Sequence, residues 1–310
     1  MCACPLVIFH KQLGDVLLLE PALAKLVSAT NTNVVLATRP AFSPMLSLMD
    51  RVNPLGSGVL RRADRVISFD CRLRACQQAL TTCAPEKRLI VTAEKHLRVW
   101  HRFIFSTECK AVDASTLYRA EYFYNTMPVT TPMAFRPPRL RLPPVDWLPT
   151  GLPRGYILIH PTSAWKRKSW PAENWGRAIT ALYGMGLGPF VVTGGESKWE
   201  RAYVADLKEA TSAPVIDLCG KTGISGYMAT VAHARMVFCI DGSAAHLAAA
   251  FKRPTITLFG PSHPLHWHYP AEHSCLIDAR SFVRDKRPAV SAIPVEAVIE
   301  EASLIWQTIG

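Results

Sequence analysis

The stretch that most constrains this chain runs from Val237 to Pro261. Val237, Phe238, Cys239 and Ile240 are four apolar residues in a row, the pattern of a short strand buried on both faces. Asp241, Gly242 and Ser243 stop it, since all three are turn or N-cap types. An alanine-rich run to Phe251, interrupted by His246, has high helix propensity and follows at once. Lys252, Arg253 and Pro254 close that helix, and residues 255–259 read as the next strand. Strand, small-residue turn, helix and strand make one βαβ unit, which demands a parallel sheet with helices on its faces. The helix N-terminus carries roughly half a positive charge and suits a phosphate group. The same residues also fit an ordinary strand-to-helix turn, and His246 also fits a histidine satisfied by the core. Crowding of Asp241, Ser243 and His246 at one helix mouth favours a site.

The same alternation recurs along the chain. Residues 6–9, 33–37, 64–69 and 88–91 read as strands, with helices over 16–27, despite Pro21, and over 44–49. Residues 136–153 are rich in proline, which removes donors and favours extended chain, so they read as a semi-rigid linker. The pattern then restarts with strands over 156–159, 190–193 and 215–218 and helices over 172–183 and 199–209. Residues 295–309 read as an amphipathic helix. We therefore expect an α/β protein of two similar Rossmann-like domains, residues 1–150 and 151–310, facing each other across a central cleft.

Bulk properties narrow the class. Hydrophobic content of 49% and charged content of 19% fit a globular α/β chain, and no apolar run approaches the roughly 18 residues of a membrane span. The first residues lack a basic region or cleavage pattern, so a signal peptide is not expected. Nine scattered cysteines without a CxxC spacing read as reduced thiols of a cytoplasmic protein, and Cys2 with Cys4 is too little for a metal site. Residues 1–150 hold 19 Lys and Arg against 11 Asp and Glu, a surplus of 8, while the remainder holds 16 against 13, a surplus of 3. The basic excess in the first half points to an anionic partner there: nucleic acid, acidic lipid headgroups or an acidic sugar.

Three strand ends in the second half carry polar residues: Thr162 and Ser163; Glu196; and Asp241, Ser243 and His246. Lys168 follows the first of them. Hydroxyls, a lysine and a helix mouth are together what a diphosphate needs, and a glutamate at a strand end can accept hydrogen bonds from ribose hydroxyls. The patterns GxGxxG and GxxxxGK[ST] are absent, which argues against a dinucleotide dehydrogenase or a P-loop NTPase. No Asp-x-Asp pair is present to hold a divalent cation, so no metal is expected. In the first half, Asp15 ends the first strand-to-helix loop, where ligands of such sheets sit; the other reading is a plain helix cap.

In these motifs the sequence resembles glycosyltransferase family 9, the ADP-heptose:lipopolysaccharide heptosyltransferases. The resemblance rests on Gly14, Asp15, Val16 and Leu17 through Pro21; on His160 to Ser163 with Lys168 to Pro171; on Gly194, Gly195 and Glu196; on Gly220, Lys221 and Thr222; on Asp241 to Leu247; and on Leu258 to Pro261. It implies the GT-B-type arrangement, with an acceptor-binding domain first and a nucleotide-sugar domain second. It also implies inversion at the anomeric carbon without a metal or other cofactor. Carried over, the general base is Asp15, the donor-phosphate lysine Lys168, and the donor-site residues Thr162, Ser163, Glu196, Asp241, Gly242, Ser243, Ala244 and His246. Glu200, one helical turn from Glu196, competes for the ribose. Arg61, Arg62, Arg72, Arg74 and Arg119 are the basic residues for the acceptor, to pair with carboxylates of 3-deoxy-octulosonate or with core phosphates. The family turn commonly reads Asp-Thr-Gly; here Gly242 and Ser243 exchange the hydroxyl and the glycine, which leaves the donor sugar open.

The expected partners are thus a nucleotide sugar such as ADP-heptose, an anionic glycolipid or oligosaccharide acceptor, and transiently the inner face of the cytoplasmic membrane. Relatives of this kind often pack a C-terminal helix back across the hinge. Two other classes stand beside this one: a non-catalytic sugar-nucleotide binder, against which Asp15 and Lys168 both speak, and a nucleic-acid-binding protein, for which no recognition motif is present.

Overall fold

Runs of consecutive apolar residues, with no polar alternation, are what a parallel sheet covered on both faces requires. They form two such sheets in the computed structural model, which describes residues 4–56, 58–271 and 274–309. The chain divides into two compact units, Met1–Leu140 and Arg141–Gly310, the division falling inside the Pro-rich stretch.

The first unit contains β1 (Leu6–Ile8), α1 (Leu13–Leu18), α2 (Glu20–Thr30), β2 (Val34–Ala37), α3 (Ser43–Ser47), β3 (Val52–Pro54), β4 (Arg65–Ser68), α4 (Leu73–Thr81), β5 (Glu86–Val91), α5 (His101–Ile104), β6 (Glu108–Ala111) and α6 (Arg119–Thr126). Its six strands are all parallel, in the order β3-β2-β1-β4-β5-β6. Leu6, Val7 and Ile8 of the central strand are fully buried. The single helix expected over 16–27 is instead two, α1 and α2. Pro21 lies in the first turn of α2, where its missing N–H costs nothing, whereas a continuous helix would lose a hydrogen bond there. Glu20 next to it is buried and accepts from both terminal nitrogens of Arg136 at 2.7 Å and from the Arg139 amide at 3.0 Å. That bidentate pair ties the start of the Pro-rich stretch to the first unit.

The second unit contains β7 (Ile157–His160), α7 (Ala172–Gly184), β8 (Phe190–Val192), α8 (Lys198–Glu209), β9 (Val215–Asp217), α9 (Gly223–His233), β10 (Met236–Ile240), α10 (Ser243–Ala250), β11 (Thr255–Phe259), α11 (Pro264–Trp267), β12 (Ser274–Asp278) and α12 (Val295–Thr308). The order of its parallel strands is β12-β11-β10-β7-β8-β9, the same winding as in the first sheet. Its core joins the strands to Trp170, Trp175 and Ile179 and to Val295, Val298, Ala302 and Ile305 of α12. The C-terminal helix thus buries its apolar face within the second unit, against α7, β11 and β12. Gly176 makes the α7 and α8 layers fit, because a Cβ there would lie 2.5 Å from the Ala210 carbonyl oxygen.

Each sheet has a switch point where successive connections leave in opposite directions: between β1 and β4, and between β7 and β10. Beyond the carboxyl ends of those strand pairs a crevice opens, and ligands of open α/β sheets bind there.

Candidate active site

In the second unit the switch point gathers most of the expected donor residues. Thr162 and Ser163 follow β7; Asp241 and Gly242 follow β10 and lead into α10. The two loops meet, since a Cβ built on Gly242 would lie 3.9 Å from that of Ser163. The first amides of α10, those of Ser243, Ala244 and Ala245, have no carbonyl four residues back inside the helix and form its positive end. Lys168 reaches this end across 73 residues of sequence: its Nζ lies 2.5 Å from Oδ2 of Asp241, the lysine side chain 17% exposed and the carboxylate 5%. The lysine also sits over the ring of Trp165, 5.2 Å from its centroid. Its loop is fixed by Trp170, which is fully buried, donates its indole N–H to the Ile293 carbonyl at 3.0 Å and accepts the Tyr203 hydroxyl at its own carbonyl. The cation is thus a positioned one, held at a helix mouth by a buried carboxylate.

Thr162 is buried, and its hydroxyl donates to Oε1 of Glu200 at 2.9 Å, an oxygen that also accepts from the Gly195 amide at 3.0 Å. The other oxygen of Glu200 accepts from Ser197, the N-cap of α8, whose hydroxyl accepts in turn from the Glu200 amide. The bond from the Glu200 amide is a side-chain N-cap of α8. Glu196 is exposed, and its carbonyl accepts from Arg201. Of the two competing glutamates, then, Glu200 is the one joined to Thr162, and Thr162 presents no free surface. Gly194 and Gly195 sit close in this packing, where a side chain would force its neighbour to shift: a Cβ on Gly195 would lie 2.4 Å from Oε2 of Glu200, and one on Gly194 2.8 Å from the Cys219 sulfur.

Below the mouth of α10 lies a layer of polar side chains. The Tyr227 hydroxyl is 3.1 Å from Oγ of Ser243, and the His160 ring stacks at 5.0 Å on Tyr227 while its Nδ1 meets the Thr193 hydroxyl at 2.9 Å. Burial pushes the His160 imidazole down to about 4, so it is neutral at physiological pH. His246, one turn inside α10, is buried with its ring 6.5 Å from that of Trp267. The Gly242 backbone is extended at φ 174°, and a Cβ there meets nothing closer than 3.8 Å, so glycine is not demanded by the turn.

In the first unit the switch point holds Asp15, His10, Asp70 and three of the arginines. Asp15 sits in the first turn of α1 and accepts weakly from the Gln12 amide at 3.3 Å. Arg72 is held by its own loop. Its guanidinium donates to both oxygens of the buried Asp70 at 2.6–3.1 Å and to the His10 carbonyl. Those hydrogen bonds, and more distantly Asp15, raise the Arg72 pKa further. Burial pushes Asp70 upward, but the bonds from Arg72 outweigh it and leave the carboxyl below its ordinary value. Arg119 begins α6. Burial lowers its pKa, and Tyr122 and Asp15 oppose that, so its charge faces the same carboxylate. Arg74 stands exposed on the first turn of α4 and is near enough to His10 to depress it.

Arg61 and Arg62 do not join this group. They precede β4, and the Arg61 carbonyl accepts from Cys83 ahead of β5. That is the amino edge of the parallel sheet, the side opposite Asp15 and Arg72.

Residues 135–281 match the model of "Glycosyltransferase family 9 (heptosyltransferase)". These residues are similar to family 9. Among curated proteins, lipopolysaccharide heptosyltransferase 3 of Escherichia coli is 30% identical over 133 residues, which is 40% of this chain and 39% of that protein. The chain therefore spans about two fifths of the length of that relative. Two solved structures are similar over nearly the whole chain: a family 9 glycosyl transferase from Veillonella parvula, with TM-score 0.81, 18% identity and coverage of 99% of this chain and 97% of that one, and the E. coli ADP-heptose lps heptosyltransferase II, with TM-score 0.80, 18% identity and coverage of 99% and 100%. At that identity the likeness is one of fold, the GT-B type with two Rossmann-like units.

Sequence reasoning about the family 9 region missed the Lys168–Asp241 pair, the Glu200 tether and Tyr227. The first two join residues far apart in sequence, which no local pattern encodes. Tyr227 lies on α9, a helix of small and apolar residues with little amphipathic signal. Lys221 is exposed and donates to the Asp217 carbonyl at 2.8 Å. Cys2 lies outside the described residues. Among the described residues, no group of three or more His, Cys, Asp or Glu is arranged to hold a metal ion, and no helix is long and apolar enough to cross a membrane.

Proposed function

We propose that this protein is an inverting, metal-independent glycosyltransferase that moves a heptose from ADP-heptose onto an anionic inner-core acceptor of lipopolysaccharide, working at the cytoplasmic face of the inner membrane. The observation that carries the reading is the anion cradle of the second unit, where Lys168 is fixed by Asp241 at the N-terminus of α10 beside Ser163 and Ser243. A departing diphosphate gains negative charge as its bond to the sugar breaks, and preoriented cations and amides stabilise that charge without reorganising.

Asp15 is the general base. The acceptor hydroxyl gives its proton to Asp15 as its oxygen forms the bond to the anomeric carbon; the anomeric carbon–oxygen bond to the diphosphate breaks, and the electron pair leaves with ADP. Arg72, Arg74 and Arg119 supply positive charge around Asp15 for an acceptor bearing carboxylates or phosphates. Glu200 takes the ribose role in preference to Glu196, since it is the glutamate already oriented at the β7 end. The relatives' names, ADP-heptose and lipopolysaccharide heptosyltransferase among them, support this substrate class.

A screen of nucleotide sugars for turnover with truncated lipopolysaccharide cores tests the assignment. ADP-heptose should be consumed with release of ADP. Consumption of a different nucleotide sugar would reassign the donor, and binding without turnover would reduce the protein to a sugar-nucleotide binder.

A further inference from the structure

Around α5 the first unit displays apolar side chains that its own core does not take up. Val99 is 80% exposed, Phe103 82% and Trp100 44%, and beside them Leu73, at the start of α4, is 68% exposed. Scattered exposed apolar residues are ordinary, but four of the larger ones on two adjoining segments are not. Exposed cations surround them: Lys95, Arg98 and Arg102 on the same segment and Arg74 next to Leu73, against the single acid Glu94.

The segment is anchored. His101 is buried, its Nε2 3.2 Å from the Cys71 carbonyl and its Nδ1 accepting the Arg98 amide at 2.9 Å, while Ile104 and Phe105 enter the core. Burial keeps the imidazole below its ordinary pKa, so this staple is uncharged. Val99, Trp100 and Phe103 are therefore held outward by a fixed backbone. The segment follows the carboxyl end of β5, and Leu73 and Arg74 follow that of β4, so the patch lies at the same end of the sheet as Asp15.

We infer that residues 95–103, with Leu73 and Arg74, form a docking surface for a bilayer containing anionic phospholipid. Trp and Phe enter the headgroup boundary with aliphatic neighbours, while arginines and lysines beside them meet lipid phosphates. Both halves of the composition are used by this occupant. Nucleic acid would engage the cations and leave Val99, Phe103 and Leu73 in water, and a second copy of the chain would oppose like charges. Apart from Arg74, the surface is separate from the transfer residues; only its purpose, meeting a lipid-borne acceptor, rests on the function proposed above.

Cosedimentation of the full chain with vesicles tests this, using phosphatidylcholine alone and phosphatidylcholine mixed with phosphatidylglycerol. The unmodified chain should bind the mixed vesicles and bind less as salt rises. Removing two cations in Arg98→Ser/Arg102→Ser should weaken that binding about 25-fold, at about fivefold per cation. Val99→Ser/Phe103→Ser should abolish it with an unchanged thermal transition, since both side chains are exposed. Failure of the unmodified chain to sediment with the mixed vesicles would overturn the inference, as would equal binding by the variants. Binding of an oligonucleotide through these arginines in place of vesicles, or loss of a dimer in the apolar variant without any vesicle binding, would overturn it too. Consumption of ADP-heptose in free solution is read separately: vesicle binding without turnover leaves the docking surface standing and removes the transferase.

Discussion

Cutting the Lys168–Asp241 pair from each side should give unequal losses, because the two partners differ in their access to water. Removing one partner of a buried ion pair costs about 3–5 kcal/mol when the survivor is fully buried. In Lys168→Ala the survivor is Asp241, only 5% exposed, and the N-terminus of α10 offsets part of its isolation by about 0.5–1 kcal/mol. We expect a loss of about 2–4 kcal/mol. In Asp241→Asn the survivor is a lysine 17% exposed on a flexible stem, which turns to solvent, so about 1–2 kcal/mol is lost. For a unit of this size the larger loss lowers Tm by about 5–15 °C. Thermal and denaturant unfolding of both single variants and of Lys168→Ala/Asp241→Asn would give the coupling energy, expected at 1 kcal/mol or more on the scale of contacting pairs. Calorimetry should show Lys168→Ala weakening ADP more than adenosine, and Asp241→Asn weakening ADP as well, because its lysine is no longer positioned. Single-variant losses that simply add, or equal losses for ADP and adenosine, would refute the idea of a lysine fixed for phosphate.

Other outcomes follow from individual side chains. Tyr227→Phe removes the hydroxyl partner of Ser243 and should cost about 0.5–1.5 kcal/mol in stability, with a matching drop in diphosphate affinity seen by calorimetry. Gly176→Ala should lower stability by about 1–3 kcal/mol in denaturant unfolding, since its Cβ has no room against Ala210, whereas Gly242→Ala should unfold as the parent does. His160 is depressed in the folded state below its ordinary value of 6.5, so its contribution is complete above that pH and is lost as pH falls through 6.5 towards about 4. By pH 5 about 1–2 kcal/mol should be gone, discounting for the part of the ring that reaches solvent, and a His160→Gln variant should show a flatter acid limb in denaturant titrations from pH 7.5 to 5.

The layered α/β architecture was legible because buried parallel strands leave uninterrupted apolar runs, as in Leu6 to Phe9 and Val237 to Ile240. The polar edge strand β6, Glu-Cys-Lys-Ala, and the proline-ended β3 carry no such run and escaped notice. Pro21 was visible as an irregularity, but whether it kinks one helix or opens a second depends on the turn at Leu19, which is settled by burial of Glu20 against Arg136. At the candidate site, residues beside strand ends were found, since a strand-to-helix turn is a local signal. What those residues do to one another was not. Thr162 reads as a free hydroxyl in sequence and proves to be spent on Glu200. Arg61 and Arg62 read as neighbours of Arg72, yet a strand intervenes and carries them to the opposite edge of the sheet.

The most direct measurement is turnover of ADP-heptose with a lipopolysaccharide core acceptor by the unmodified chain and by Asp15→Asn, side by side, with the anomeric configuration of the product read by NMR and ADP affinity read by calorimetry. We expect transfer with inversion by the unmodified chain, and no transfer but near-unchanged ADP affinity in the variant. Equal turnover by Asp15→Asn, or a product of retained configuration, would contradict the account.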